Sequence, residues 1–150
     1  GTPEDVYERP ENLYVAGFIG SPKMNLLPVR LQAAGTHWTA VLSTPAGSAT
    51  VPLGPVTDRA LEGREVLLGL RPEHFREAQP GEEGASVAVE IAMLEPTGAD
   101  TFGFAEINGR RTALRLPPKR VRAAGERLRV VVDAAAACYF DPASERRVTV

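Results

Sequence analysis

The sequence predicts a mainly β protein whose short strands close into one or two small barrels, preceded by a short helical segment. Short runs of β-branched or alternating apolar residues recur from residue 29 onward, each bounded by Gly, Pro, Ser or Thr. A weak internal repeat links residues 63–75 and 125–140, which both pass from Gly through a polar pair into an apolar run. Asn108-Gly109 favours the positive φ angles of a type I′ hairpin turn. Barrel closure buries strand edges that would otherwise pair between molecules, so the expected architecture is of oligomer-binding (OB) fold type.

The sequence of residues 1–22 predicts a helical segment that joins the β domain to a preceding part of the protein. Thr2 can cap a helix whose first position is Pro3, and Pro10 ends that helix. A second short helix can follow before residue 20. Gly20, Ser21 and Pro22 then break the chain, either as an anion-binding loop or as a seam between two domains. The seam is favoured, because Pro22 removes a donor that a phosphate loop needs and a strand rather than a helix follows.

Residues 23–150 predict a β domain made of two subunits, about 23–76 and 85–150, with a polar, acidic loop at 76–85 between them. The strands expected in the first subunit cover residues 29–34, 36–44, 49–54 and 65–71. Those expected in the second cover residues 86–95, 101–107, 111–116, 127–134 and 146–150. The Asn-Gly turn predicts that residues 101–107 pair with residues 110–116 in one hairpin.

Composition excludes several classes of function. The 150 residues carry a formal net charge of -2, which gives no basic field for nucleic acid or for an anionic membrane surface. A single cysteine, Cys138, excludes an internal disulfide and a cysteine-based zinc site. No leader is evident, and no apolar run approaches the ~20 residues that span a bilayer, so we expect a soluble domain.

One cluster of polar residues follows an apolar strand. Arg71, Glu73 and His74 surround Pro72, and the three side chains could form an acid–base cluster or a corner that binds a ligand or partner. The alternative is structural, with Glu73 pairing Arg71 or capping a short turn, and it is favoured because surface ion pairs are common. The basic residues between 119 and 129 have the same two interpretations, an acidic partner or a solvated face. No serine elbow and no metal-ligand spacing appears, so no catalytic or metal site is predicted.

Residues 1–29 resemble the junction in the ATP-binding subunits of sugar-uptake ABC importers of the maltose and glycerol-3-phosphate type. The matching residues are Gly1, Thr2, Pro3, Tyr7, Arg9, Pro10, Val15, Ala16, Gly17, Phe18, Ile19, Gly20, Ser21, Pro22, Met24 and Asn25. Residues 67–75 resemble a second hallmark of that family, Gly-Ile-Arg-Pro-Glu-His, and residues 89–109 resemble a later Glu-x-x-Gly region. Residues 133–136 depart from the family, whose members often carry Pro-Pro-Glu there.

The resemblance implies that residues 1–22 are a remnant of the nucleotide-binding domain and that residues 23–150 are a regulatory transport-associated OB domain. Gly20, Ser21 and Pro22 would form the hinge. The chain would form a homodimer through this domain, receive an inhibitory protein or small effector, and reach the membrane permease subunits through the missing domain. Its location would be cytoplasmic, at the inner face of the plasma membrane.

The chain itself is not expected to be an enzyme. It lacks Gly-x-x-x-x-Gly-Lys-Ser/Thr, Leu-Ser-Gly-Gly and an apolar strand ending in Asp-Glu, so ATP and Mg²⁺ are implied only for the full-length parent. The second hypothesis is a small-ligand or oxyanion-binding OB-like module, in which Arg71, Glu73 and His74 would take the ligand at a strand end.

Overall fold

A computed structural model describes residues 23–150, in which twelve strands form four three-stranded antiparallel sheets. The strands are β1 (Asn25–Arg30), β2 (Gln32–Ala34), β3 (His37–Thr44), β4 (Gly47–Pro55), β5 (Glu65–Leu70), β6 (Phe75–Glu77), β7 (Val87–Glu90), β8 (Met93–Thr97), β9 (Asp100–Ile107), β10 (Arg110–Leu116), β11 (Arg127–Val132) and β12 (Cys138–Phe140). The predicted helical segment and the candidate hinge at Gly20, Ser21 and Pro22 lie outside the described residues.

The mainly β, OB-like architecture is confirmed. The sheet orders are β1-β5-β12, β2-β3-β4, β10-β9-β8 and β6-β11-β7. These ladders do not join into one closed barrel among residues 23–150. The helical residues in this part of the chain form 3₁₀ turns of three residues each, which connect strands.

The internal repeat of the sequence is also a repeat in the structure. In each copy a long strand leads through a 3₁₀ turn into a short strand: β5, Pro72–His74 and β6 in the first, β11, Ala134–Ala136 and β12 in the second. The short strands are exchanged, because β12 pairs with β5 and β6 pairs with β11. The division at about residues 76 and 85 stays a prediction, and these two ladders join its two segments through backbone hydrogen bonds.

The core follows from the alternation of apolar residues along the strands. In β3 every second side chain is buried, and Trp38, Ala40 and Leu42 have no exposed surface. The Trp38 indole N–H donates to the Val150 carbonyl over 2.8 Å, so this buried polar atom is satisfied. β5 is buried over its last five residues, as expected for the central strand of its sheet.

Three predicted strands differ from the structure. Residues 29–34 do not form one strand, because β1 ends at Arg30 beside β5 and β2 begins at Gln32 beside β3. Residues 86–95 do not form one strand: β7 ends at Glu90, and β8 begins at Met93. The chain changes sheets between them, since the Ile91 N–H donates to Glu126 while the Ala92 N–H donates to Phe104. Residues 146–150 form no strand and pair with β12 through an isolated bridge between Arg147 and Phe140.

The hairpin predicted at Asn108-Gly109 is confirmed. β9 and β10 pair from Arg110 with Ile107 to Leu116 with Thr101, and φ is 51° at Asn108 and 76° at Gly109. The Asn108 side chain also forms hydrogen bonds to strands outside the turn. Its Oδ1 accepts from the Ser43 N–H at 2.7 Å, and its Nδ2 donates to the Pro28 carbonyl at 2.8 Å and to the Val41 carbonyl at 3.3 Å.

Replacing Gly109 with Val is expected to destabilise the domain by about 1 kcal/mol or more, because a β-branched residue resists positive φ. No atom lies within 4 Å of the added Cβ, so the loss reports backbone conformation alone. Urea unfolding measures it. Gly84→Val is the matched control, since Gly84 also has open space but no positive φ. Equal stabilities of the two variants would contradict the prediction.

Replacing Asn108 with Gly keeps the positive φ without strain and removes only the side-chain hydrogen bonds. We expect a loss of about 1–3 kcal/mol in the free energy of unfolding, because these bonds satisfy one amide and two carbonyl groups of neighbouring strands. The same urea unfolding measures it. An unchanged midpoint would show that water replaces the Asn108 amide at no cost.

Candidate functional site

The predicted corner is a tight turn at the end of β5. The Arg71 side chain has no exposed surface, and Arg71 precedes the 3₁₀ turn Pro72–His74. The His74 N–H donates to the Arg71 carbonyl at 2.9 Å, and the Arg71 N–H donates to His74 Nδ1 at 3.1 Å. An Nδ1 that accepts a hydrogen bond leaves the ring proton on Nε2. The His74 imidazole is therefore engaged in closing the turn.

The structure thus gives the three predicted residues different surroundings. Arg71 is buried and His74 closes the turn, whereas Glu73 is partly exposed and lines a groove. The His74 carbonyl accepts from the Asp133 N–H at 2.9 Å, which ties this turn to the start of the equivalent turn in the second repeat. The two turns therefore lie side by side.

The groove has a volume of about 520 Å³ and lies between β6, β10 and β11. Its floor is apolar, formed by Phe75, Leu114, Leu116, Leu128 and Val130. Its rim is charged, with three acidic residues and three basic residues. These are Glu73, Glu77, Asp100, Arg76, Arg115 and Arg120.

Each arginine of the rim has a carboxylate partner. Arg120 holds Glu77 with two hydrogen bonds and Glu126 with a third at 2.9 Å. Hydrogen bonding to Arg120 lowers the pKa of Glu77. Arg115 Nε lies 3.2 Å from Asp100 Oδ1. Such pairs neutralise the rim, so the groove offers no net positive field to an anion.

Arg76 and Glu82 form the third pair, at 2.8 Å and 2.6 Å. The Gln79 N–H also donates to Glu82, at 2.7 Å. The hydrogen bond to Arg76, followed by that to Gln79, lowers the pKa of Glu82 to about 2. This pair fixes the loop that leaves β6, because Arg76 is in the strand and Glu82 is in the loop.

The other basic residues near position 120 are mostly paired too. Arg127 Nε lies 3.2 Å from Glu90 Oε1, and Arg129 donates to the Ser86 hydroxyl at 2.7 Å. These contacts favour the interpretation of this cluster as a solvated strand face. No group of three or more His, Cys, Asp or Glu within residues 23–150 is arranged to hold a metal ion. No helix found in that range is long and apolar enough to cross a membrane.

Sequence reasoning missed the part played by Asn25. Its Nδ2 donates to the Ala113 carbonyl and its Oδ1 accepts from the Ala113 N–H, both at 2.9 Å. The Asn25 amide therefore completes the exposed edge of β10 as a neighbouring strand would. The available signal was that Asn25 belongs to the motif matched in the first 29 residues, but no pattern pointed to a partner 88 residues away.

The interlocked repeats and the apolar groove define a small β domain of OB-fold type. Residues 20–75 match the MalK OB fold domain, and residues 68–140 match the TOBE domain. The chain therefore carries a MalK-type OB fold domain that is continued by a TOBE domain. The two matched ranges overlap at residues 68–75, which contain the end of β5 and the Pro72–His74 turn of the first repeat.

The curated relatives that match are import or transport ATP-binding proteins. The chain is 44% identical to the sn-glycerol-3-phosphate import ATP-binding protein UgpC of Paracoccus denitrificans, over 98% of the chain and 38% of that protein. It is 34% identical to the sulfoquinovosyl glycerol transport ATP-binding protein SmoE of Agrobacterium fabrum, over 99% of the chain and 40% of that protein. The chain thus spans about two fifths of the length of these relatives.

A solved structure supports the fold. The cytoplasmic molybdate-binding protein ModG, in a crystal form with molybdate bound, superposes with a TM-score of 0.54 at 11% identity. The match covers 79% of this chain and 96% of that one. At this identity the likeness shows the fold alone.

The Glu82 pair predicts a pH dependence. Because the folded pKa is depressed from 4.5 to about 2, the pair stabilises fully above the unfolded pKa, and the contribution is lost as the pH falls from 4.5 to about 2. In Arg76→Ala we expect the Glu82 pKa to rise but to stay below 4.5, since the Gln79 N–H still donates. Carboxyl-detected NMR titration measures it. Arg115→Ala, which breaks the pair on the other side of the groove, should leave the Glu82 midpoint unchanged.

Proposed function

We propose that this chain is the regulatory and dimerisation domain of the ATP-binding subunit of a carbohydrate-type ABC importer, one that takes up a sugar or glycerol-3-phosphate. The observation that carries the proposal is the alignment of 98% of the chain at 44% identity with 38% of an import ATP-binding protein. The share of that protein left unmatched is large enough for a nucleotide-binding domain, which would hold ATP and Mg²⁺.

In this role the domain keeps two nucleotide-binding domains near each other. A lasting contact between two copies of the regulatory domain holds the motors at high effective concentration after ATP hydrolysis has separated them. Gly20, Ser21 and Pro22 serve as the hinge, and an inhibitory protein or a small effector acts on the domain. The assembly works in the cytoplasm, at the inner face of the plasma membrane, where the motors contact permease subunits.

The second candidate is an oxyanion-binding or small-ligand module, which the fold shared with ModG favours. The charges of the groove weigh against it. Arg76, Arg115 and Arg120 each donate to a carboxylate of this chain, so an oxyanion would have to compete with Glu82, Asp100 or Glu77. The regulatory function is therefore the better supported of the two.

A chimera tests the proposed function. The part of Paracoccus denitrificans UgpC that aligns with this chain is exchanged for this chain, and glycerol-3-phosphate uptake and ATPase activity are measured in cells that lack the native protein. We expect both to be retained. The same chimera with Asn108→Gly is the control. Because this change destabilises the transplanted domain, it shows whether uptake depends on the folding of that domain. A chimera that is expressed and folded but gives no uptake would contradict the proposal.

The chain alone is expected to bind no ATP at micromolar concentrations, because its sequence carries no phosphate cradle and no magnesium-holding carboxylate motif. Isothermal titration calorimetry with ATP and Mg²⁺ measures it. Titration of the full-length relative provides the positive control. Micromolar affinity of the isolated chain would place nucleotide binding in the β domain itself.

Glu73→Gln distinguishes the two candidate functions. For a regulatory domain we expect a loss of about 0–1 kcal/mol in stability, as for an exposed pair, and no shift of the melting temperature on adding molybdate, sulfate, phosphate or sugars. Glu106→Gln, an exposed carboxylate outside the groove, is the matched control. A ligand-induced rise in melting temperature that Glu73→Gln abolishes and Glu106→Gln keeps would favour the ligand-binding module.

A further inference from the structure

Asn108 and Gly109 carry two groups that can react with each other. The Asn108 side chain ends in an amide, and the next backbone nitrogen belongs to a glycine. Attack of this nitrogen on the side-chain Cγ closes a succinimide ring, and the glycine leaves its nitrogen unhindered because it has no Cβ. The other asparagines of the chain, Asn12 and Asn25, each precede a leucine, whose side chain hinders the same attack. The sequence therefore contains one asparagine that is chemically prone to deamidation.

The reaction balances with water as its only co-reactant. The bond between the Gly109 nitrogen and the Asn108 Cγ forms, and the bond from Cγ to Nδ2 breaks. The amino group leaves as ammonia, with the proton that the Gly109 nitrogen gives up. Water then opens the ring at either of its two carbonyl groups, which leaves aspartate or isoaspartate at position 108. Nothing is oxidised or reduced.

The folded domain holds the Asn108 amide away from this reaction. Its Oδ1 accepts from the Ser43 N–H at 2.7 Å, and its Nδ2 donates to the carbonyls of Pro28 and Val41 at 2.8 Å and 3.3 Å. Turning Cγ toward the Gly109 nitrogen breaks these hydrogen bonds, and the reacting atoms must be close and aligned before they can react. The pairing of β9 with β10 on both sides of the turn also fixes the peptide that would have to rotate.

One of these contacts acts in the opposite direction. The Ser43 N–H polarises the side-chain carbonyl of Asn108, which makes its Cγ a better electrophile. The two hydrogen bonds that Nδ2 donates oppose the departure of the amino group, because both must break before it leaves. Polarisation accelerates the attack only when the nitrogen and Cγ are already in contact, so the protective effect of the fold dominates.

The products do not fit the place that the amide occupies. A carboxylate has no proton to donate, so the carbonyls of Pro28 and Val41 lose their donor and face a negative charge. Isoaspartate also adds one carbon to the backbone, which alters the two-residue loop that sets the register of β9 and β10. Either product therefore weakens the contact between the hairpin and its neighbouring strands.

We propose that Asn108 is a site of spontaneous deamidation that the native fold protects and that unfolding exposes. The modification accumulates in chains that have been unfolded. After refolding, these chains have a weakened junction between β1, β3 and the β9–β10 hairpin. The proposal is independent of the importer function, because it concerns only residues within this domain.

Incubation of the 150-residue chain at mildly alkaline pH, folded in buffer and unfolded in urea, tests the protection. Peptide mass spectrometry measures the loss of the side-chain amide at Asn108. We expect deamidation to be about tenfold or more faster in the unfolded chain, because the fold opposes it with several hydrogen bonds. Asn25 is the matched control in the same molecule. Its amide is also hydrogen-bonded in the fold, but it precedes Leu26 and should react slowly in both samples.

Asn108→Asp tests the effect of the product. We expect a lower melting temperature than that of the wild type, because the carboxylate faces the carbonyls of Pro28 and Val41. Gln32→Glu is the matched control, since it makes the same change from amide to carboxylate at an exposed position and should leave the melting temperature nearly unchanged. The chain deamidated in urea should also melt at a lower temperature after refolding.

Equal rates at Asn108 in the folded and unfolded chain overturn the proposal. An unfolded chain in which Asn108 reacts no faster than Asn25 does so as well. The proposal is also wrong if the deamidated chain, or the Asn108→Asp variant, refolds to the melting temperature of the wild type. None of these results bears on the chimera experiment, so failure of the deamidation site and failure of the importer function are distinguishable.

Discussion

The hydrogen bonds of the Asn108 side-chain amide are the interactions on which the arrangement of the sheets depends. It lies at the tip of the β9–β10 hairpin, yet its side chain bonds to Ser43 and Val41 on β3 and to Pro28 on β1. Its own N–H donates to the Ser43 carbonyl at 2.9 Å. One residue therefore joins three sheets, and it satisfies backbone groups at the point where the hairpin meets its neighbours. The same positive φ that turns the chain directs this amide toward them.

The exchange of short strands between the two repeats is the second constraint. Neither repeat completes its own sheet, because β5 needs β12 and β11 needs β6. The 3₁₀ turns that connect these strands are held together by the bond from Asp133 to the His74 carbonyl. Ion pairs at the surface also connect these elements, such as those of Arg120 with Glu77 and Glu126 at the groove.

The features that the sequence predicts correctly are those that depend on neighbouring residues, such as tight turns. The register of β9 and β10 follows from the Asn-Gly turn, because a two-residue loop with positive φ at both positions fixes which residues face each other. The end of β5 at the Arg71–His74 turn follows from Pro72 in the same way. The sequence does not predict the β7–β8 break, since residues 86–95 are mostly apolar with a strand-like pattern and nothing local shows that Ile91 and Ala92 contact different sheets.

The features that the sequence does not predict are ion pairs and hydrogen bonds between residues far apart in the chain. The carboxylates that neutralise Arg120 include one 43 residues away, and the edge that Asn25 completes is 88 residues away. The spacing of residues along the chain does not predict these long-range pairs. For the same reason the basic residues near 120 have two interpretations in the sequence, and only the paired carboxylates in the fold favour one of them.

The exchanged strands also set where the chain can change its length. Each long strand is a template for a short strand of the other repeat, so one residue inserted in β5 would shift its register against β1 and β12 together and turn buried side chains toward solvent. The segment between β6 and β7 carries no such double pairing. It is held by the hydrogen bond from Ala78 to the Arg129 carbonyl, by those from Arg129 to Ser86, and by the Arg76–Glu82 pair at the surface. Insertions and deletions that preserve the fold therefore belong in this loop rather than in the strands of the two repeats.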